Sequence, residues 1–138
     1  MTKRNIHGAW TIRFEDRILY SKVIGATNKE AAESWFEEVR QHITFSYSNC
    51  IEGWVFINDA RQWDLSSPDF WEGANKAIEW MCNHNCIFMA LVHSKQIQNF
   101  VTEKELDGHG VVHLFFDYDE AYQACLDKLA EAKRKQDK

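Results

Sequence analysis

The stretch from Trp54 to Met81, WVFINDARQWDLSSPDFWEGANKAIEWM, constrains the fold more than any other part of the chain. Trp54, Val55, Phe56 and Ile57 form an unbroken apolar run of β-branched and aromatic residues, which is how a strand covered on both faces reads. Asn58 and Asp59 close that run, and a polar turn is expected through Asp64. Ser67 directly precedes Pro68, placing a side-chain cap before the helix position where a missing N–H costs nothing. The helix after it carries Phe70, Ala74, Ala77, Ile78 and Met81 at helical spacing, with Trp71 and Trp80 on the borders of the stripe. A buried strand feeding a capped helix is the βα unit of a mostly parallel sheet, and open α/β sheets place ligands at the strands' C-terminal edge.

The remaining elements fit around this unit. Trp10, Ile12 and Phe14 alternate with polar residues, Glu15 to Arg17 turn the chain, and Ile18 to Ile24 alternate again, giving an antiparallel hairpin. Thr27 with Glu30 forms a capping box for a helix along Ala32, Trp35, Phe36, Val39 and Ile43, ending near His42; Ser46 to Gly53 then connects to the central strand. Cys86 to Val92 is a second continuous apolar run and a buried strand. Ser94 is expected to cap a short helix over Lys95 to Thr102, with Ile97, Phe100 and Val101 pointing inward. Glu103 to Gly110 reads as a loop, Val111 to Phe116 as the last strand, and Asp117 with Glu120 as the capping box of the last helix, which carries Ala121, Ala124, Cys125, Leu126 and Leu129. The order ββαβαβαβα predicts one α/β domain over residues 1–138. It has a mixed five-stranded sheet, mostly parallel with an N-terminal antiparallel hairpin, and about four helices; the ordered core spans about 7–130 and a charged helical tail 131–138.

Charge excludes several function classes. A net charge of -5 with no internal run of Lys or Arg argues against nucleic acid or an anionic membrane surface as partner. The one basic cluster, Lys133, Arg134, Lys135 and Lys138, complements the dipole of the last helix. No apolar span reaches membrane-helix length and Met1 to Ile6 is no signal peptide, so a cytoplasmic protein is expected. Cys50, Cys82, Cys86 and Cys125 follow no disulfide-scaffold spacing and are expected as reduced thiols. Cys82, His84 and Cys86 lie close together but lack the second ligand pair of a structural zinc site. A cluster of His93, His109 and His113 is argued against by strand direction, since His93 ends its strand and His113 begins its own. Neither a metal nor a cofactor is expected.

The ββαβαβαβα order, the segment Asp59-Ala60-Arg61-Gln62-Trp63-Asp64 and the closing Phe116-Asp117-Tyr118-Asp119-Glu120-Ala121 together resemble the SpoIIAA-like proteins of the STAS superfamily, across nearly the whole chain. The resemblance implies a small bacterial cytoplasmic domain that binds proteins or small ligands without catalysing a reaction. In the anti-sigma factor antagonists of that superfamily, a serine opening the helix after the central strand is phosphorylated within Asp-Ser-Ser/Thr-Gly. The matching segment here is Leu65-Ser66-Ser67-Pro68, with Leu65 in place of the acidic residue and Pro68 in place of the glycine. A phosphate on Ser66 or Ser67 would sit at a helix N-terminus, where free N–H groups stabilise it; capping alone also accounts for Ser67.

Topology gathers the remaining polar residues on one edge. Asp59, Arg61, Trp63, Asp64, Ser66, Ser67 and Trp71 belong to the central unit, His93, Ser94 and Lys95 follow the next strand, and Asp117 and Asp119 follow the last. This edge is the expected binding surface for a protein partner or a small apolar or anionic ligand. An alternative pairs His93 with Asp59 or Asp117 as base and orienter of a small hydrolase, with Ser66 or Ser67 as nucleophile. No G-x-S-x-G elbow, phosphate-cradling glycine loop or H-E-x-x-H motif accompanies it. A homodimer is expected, because helices gathered on one sheet face, as the resemblance implies, would leave Trp10, Trp54 or Phe56 to be covered by a second copy.

Overall fold

The computed structural model describes residues 8–47, 52–106 and 108–136. Residues 48–51 of the Ser46 to Gly53 connection, Cys50 among them, Lys138 and the first residues of the chain lie outside that range. The order is β1 (Ala9–Glu15), β2 (Ile18–Thr27), α1 (Lys29–Tyr47), β3 (Trp54–Ser66), α2 (Phe70–Asn83), β4 (Cys86–Val92), α3 (Gln96–Glu105), β5 (Val112–Phe115) and α4 (Tyr118–Gln136). The five strands form one sheet in sequential order, antiparallel between β1 and β2 and parallel thereafter, as expected from the alternation of strands and helices. Asp16 and Arg17 both take positive φ, 54° and 67°, the two-residue hairpin turn whose twist matches its strands.

Helices cover both faces. On one, α1 and α2 close over Trp54, Phe56, Met89 and Leu91; on the other, α4 packs through Ala121 and Cys125 against Val55, Ile57, Ala90 and Val92. Trp54 and Phe56 are thereby buried within a single chain, which removes the reason for expecting a second copy over them.

The central strand departs from the expected reading. Asp59 to Asp64 is not a turn: β3 continues to Ser66, because β2 runs on to Thr27 and supplies a hydrogen-bonding partner along its whole length. The register shifts twice. Between Lys22 and Ile24 β3 advances from Asp59 to Gln62, and between Gly25 and Thr27 from Trp63 to Ser66, so each shift adds one residue to β3. Leu65, at the second shift, takes a φ of 79°.

Three helix starts also differ. Asn28, not Thr27, caps α1, its Oδ1 accepting from the Ala31 N–H at 3.1 Å, because Thr27 is still in the sheet. α1 runs past His42 to Tyr47. α2 begins at Phe70 without a side-chain cap; the Ser67 hydroxyl donates to the Asp69 carboxylate instead, and only the Ser67 carbonyl receives the Phe70 N–H. α3 begins at Gln96 and presents Ile97 and Phe100 to solvent, with Gln98 and Thr102 facing inward. For α4 the Asp117 carboxylate accepts the Glu120 N–H at 3.1 Å, the cap read from the sequence.

Where α1 meets α2, a Cβ built on Gly73 would lie 3.3 Å from the Ala32 Cβ. Gly73→Leu must therefore push these helices apart, and urea unfolding should show a loss of about 1–3 kcal/mol.

Candidate functional site

The two bulges decide which side chains meet. Without them, period-two alternation from Asn58 would send Trp63 to the α4 side; with them Asn58, Ala60, Trp63 and Ser66 stand on the same face of β3. That face borders an apolar cavity of about 100 Å³ under α1, α2 and α3. β4 contributes Met89 and Leu91, His93 follows directly after it, α1 contributes Ala32 and Trp35, α2 contributes Phe70, Trp71 and Ala74, and α3 contributes Thr102. The rings pack edge to face, Trp35 with Phe56 at 5.7 Å, Trp63 with Trp71 at 5.9 Å and Phe70 with Trp71 at 5.1 Å.

Polar groups in this wall are few, and nearly all are partnered. Trp63 Nε1 donates to Thr27 Oγ1 at 3.2 Å and to Ser66 Oγ at 3.0 Å, and those two hydroxyls bond each other. Trp35 Nε1 donates to Ser21 Oγ at 2.9 Å, and Trp10 Nε1 to Glu38 at 2.9 Å. His93, only 2% exposed, binds Asn99 Oδ1 through Nδ1 and lies 3.4 Å from Thr102 Oγ1 through Nε2. An amide oxygen only accepts, so Nδ1 carries the proton and the Thr102 hydroxyl donates to Nε2. Asn58 Oδ1 is the exception: it is buried and has no hydrogen-bond partner among the described residues.

α3 is held over the cavity by polar contacts. Gln98 Nε2 donates to the Trp63 carbonyl at 2.6 Å, while its Oε1 accepts the Ser94 and Lys95 N–H groups at 2.8 and 2.9 Å. The Ser94 hydroxyl donates to the Arg61 carbonyl at 2.8 Å, so Ser94 ties α3 to β3 instead of capping it.

The residues expected on one edge thus divide between two faces. Trp63, Trp71 and His93 line the cavity, with Ser66 bonded to its rim. Asp59 and Arg61 face the α4 side as a bidentate pair at 2.9 Å, the guanidinium 5.2 Å from the Tyr118 ring, beside a polar groove shared with Arg13, Tyr20 and Lys22. The Arg61 hydrogen bond holds the Asp59 carboxyl below its usual range. Asp64 is exposed, and Asp117 is committed to the α4 cap. The hydrolase pairing fails on geometry: Asp59 lies on the opposite sheet face from His93, whose two nitrogens are taken by Asn99 and Thr102. A phosphate on Ser67 would replace the hydroxyl proton now donated to the Asp69 carboxylate and set negative charge beside it. Among the described residues, no group of three or more His, Cys, Asp or Glu side chains is placed to hold a metal ion. His84 stacks on Trp80 at 4.0 Å, and burial pushes the Cys86 thiol up, away from the thiolate a metal needs. No helix among the described residues is long and apolar enough to cross a membrane.

Gln98, Thr102, Thr27 and Trp35 were not singled out as site residues by sequence reasoning. A signal existed for Gln98, which stands three residues after Lys95 as the glutamine of a capping box does.

Solved structures share this architecture. An uncharacterised protein of the DUF3478 family with a SpoIIAA-like fold, from Shewanella loihica, superposes with a TM-score of 0.60 at 16% identity over 91% of this chain and 98% of its own. A putative anti-sigma factor antagonist from Thermotoga maritima gives 0.62 at 13% over 85% and 94%. The anti-sigma factor antagonist SpoIIAA in its unphosphorylated form gives 0.59 at 10% over 88% and 98%. The chain has a SpoIIAA-like fold. No family model matches it, and no curated protein matches it in sequence.

Two outcomes follow from the cavity wall. Asn58→Leu removes a buried unpaired acceptor and should raise the unfolding free energy by about 1 kcal/mol in urea. His93 has its pKa held below the usual 6.5 by burial, with the Asn99 bond pulling weakly the other way. The unfolded chain therefore binds the proton first, so this contribution to stability is whole above 6.5 and is lost as pH falls below it. Midpoints measured at neutral and mildly acidic pH should differ more in the native chain than in His93→Gln.

Proposed function

We propose that this chain is a noncatalytic regulatory module that binds a small apolar molecule in the cavity beneath α1, α2 and α3. The observation that carries the reading is the ring-lined wall around about 100 Å³ of space, polar at only a few points. An engineered apolar cavity of about 150 Å³ holds benzene, so the occupant here is a single ring or a short branched chain. Its neighbours in fold include anti-sigma factor antagonists, which supports a regulatory role exerted through a protein partner. α3 links the two tasks: Thr102 borders the cavity while Ile97 and Phe100 stand exposed at 51% and 66%, so a ligand that shifts α3 alters an apolar outer surface. Catalysis has no support in the wall, where His93 is spent on structural bonds.

Four of the six tryptophans line the cavity and report on its contents. Benzene should change their fluorescence saturably, with a Kd of about 1 mM or tighter. Ala60→Leu, which adds an isopropyl group to the wall, should abolish the response while the circular dichroism stays native. No saturable change, or binding indifferent to Ala60→Leu, would dismiss the proposal.

A further inference from the structure

We infer that His93 is an acid-sensitive latch: on taking up a second ring proton it releases α3 from the end of β4, while the sheet and the other helices stay folded. This stands apart from the ligand-binding reading, because it concerns what fastens α3 and not what the cavity holds.

Three observations carry it. The first is position. His93 follows directly after β4, and its backbone N–H is held by the Phe115 carbonyl at 2.9 Å, so the residue belongs to the sheet. Both ring nitrogens reach across to α3, Nδ1 to Asn99 and Nε2 to Thr102. One imidazole thus ties the sheet to one helix.

The second is the chemistry of the ring. In its neutral form Nδ1 gives its proton to Asn99 Oδ1, and Nε2 receives the Thr102 hydroxyl. A second proton makes Nε2 a donor that faces a donor, and it places a full positive charge where the residue is only 2% exposed. A buried ion needs a counter-ion, and among the described residues none faces this ring. Every other residue lining the cavity is uncharged, those of α1 and α2 included. Lys95 before α3 and Glu103, Lys104 and Glu105 on it are exposed. On β3, Asp59 and Arg61 face the α4 side and Asp64 is exposed; beyond β5, Asp117 is exposed and caps α4. The Trp63 ring, 5.7 Å away and tilted by 37°, attracts a cation less than the water that burial removes.

The third is how α3 is held. It turns Ile97 and Phe100 to solvent and grips the sheet mainly through side-chain hydrogen bonds, from Gln98 to the Trp63 carbonyl and from Asn99 and Thr102 to His93. Moving α3 hydrates the imidazole without parting the apolar seam of α1 and α2. The released form therefore binds the proton more readily than the latched form, whose ring burial keeps below its ordinary 6.5. The latch is whole above that value and weakens as pH falls through it, by about tenfold per pH unit while the buried ring stays neutral.

Amide hydrogen exchange on the full chain, read by NMR and divided by the intrinsic rate at each pH, tests this between about pH 7.5 and about pH 5.5. The helical amides of α3 should open at least about 10-fold more often than those of β3 and β4 at both ends of the range, the mark of local release. Their opening should rise by about 3- to 10-fold on acidification, and His93→Gln should abolish that rise. If this variant does not fold, the native chain decides through the α3 amides and through the His93 ring resonance, whose titration midpoint should lie below 6.5. The inference is overturned if α3 opens no more often than β3 and β4, since release is then unfolding of the whole chain. It is equally overturned if α3 opening ignores pH, if His93→Gln keeps the rise, or if the ring titrates at 6.5 or above.

Discussion

The structure depends on β3 being buried on both faces while carrying two more residues than its neighbour β2 can match. Burial on both faces fixes register strongly, because a slip by one residue would exchange Phe56 and Asn58 with Val55 and Ile57. Within that fixed frame the bulge after Asp59 turns the Trp63 indole back toward α1 and α2, and the bulge after Trp63 brings Ser66 to the same face. An unbulged strand would turn Trp63 to the α4 face of the sheet instead. The cavity wall, the Thr27, Ser66 and Trp63 hydrogen bonds, and the packing of Trp71 all follow from this one change of phase.

A strand that outruns its partner leaves carbonyls to be satisfied. β4 pairs with β3 only as far as Asp59 and Val92, so the carbonyls of Ala60, Arg61 and Trp63 have no strand beside them. Gln98 and Ser94 take that place, with a side-chain amide and a hydroxyl doing what a β-ladder would do. This explains why α3 shows an inverted pattern, polar inward and apolar outward. Its orientation is set by hydrogen-bonding demand along the edge of β3, and the apolar residues go to whatever face remains.

Most of the fold was legible in the sequence because it rests on the strongest signals. WVFI and CIFMALV read as enclosed strands, the alternation in residues 10–24 as a half-covered hairpin, and Asp117 with Glu120 as a cap; all four appear so. Apart from the faces of α3, the misreadings share one cause: Asp59, Asp64, Thr27 and Ser67 carry polar side chains with strong local preferences for turns and caps, and the strand ladder took in Asp59 to Asp64 and Thr27, while the Ser67 N–H went to the Thr27 carbonyl and its hydroxyl to Asp69. Local propensity yields wherever a neighbouring strand offers a complete ladder. For the candidate site the edge was legible and its division was not: Trp63, Trp71 and His93 border the cavity while Asp59 and Arg61 face the α4 side, and the face that Trp63 takes depends on the first bulge. Nothing in the order Asp-Ala-Arg-Gln-Trp-Asp marks an inserted residue, since neither bulge is signalled by glycine.

The same arrangement makes α3 the element best suited to admit a ligand. α1 and α2 bury a continuous apolar seam against the sheet, and opening it would expose Val39, Ile78 and Met81 together. α3 is anchored differently, by Gln98, Thr102 and Asn99 hydrogen bonds and by Leu106 at its end. Hydrogen bonds of this kind exchange with water at a small net cost, whereas exposed apolar area does not. Local opening follows the least apolar boundary. On that ground the boundary between β3 and α3 is the first to open, and the seam of α1 and α2 the last.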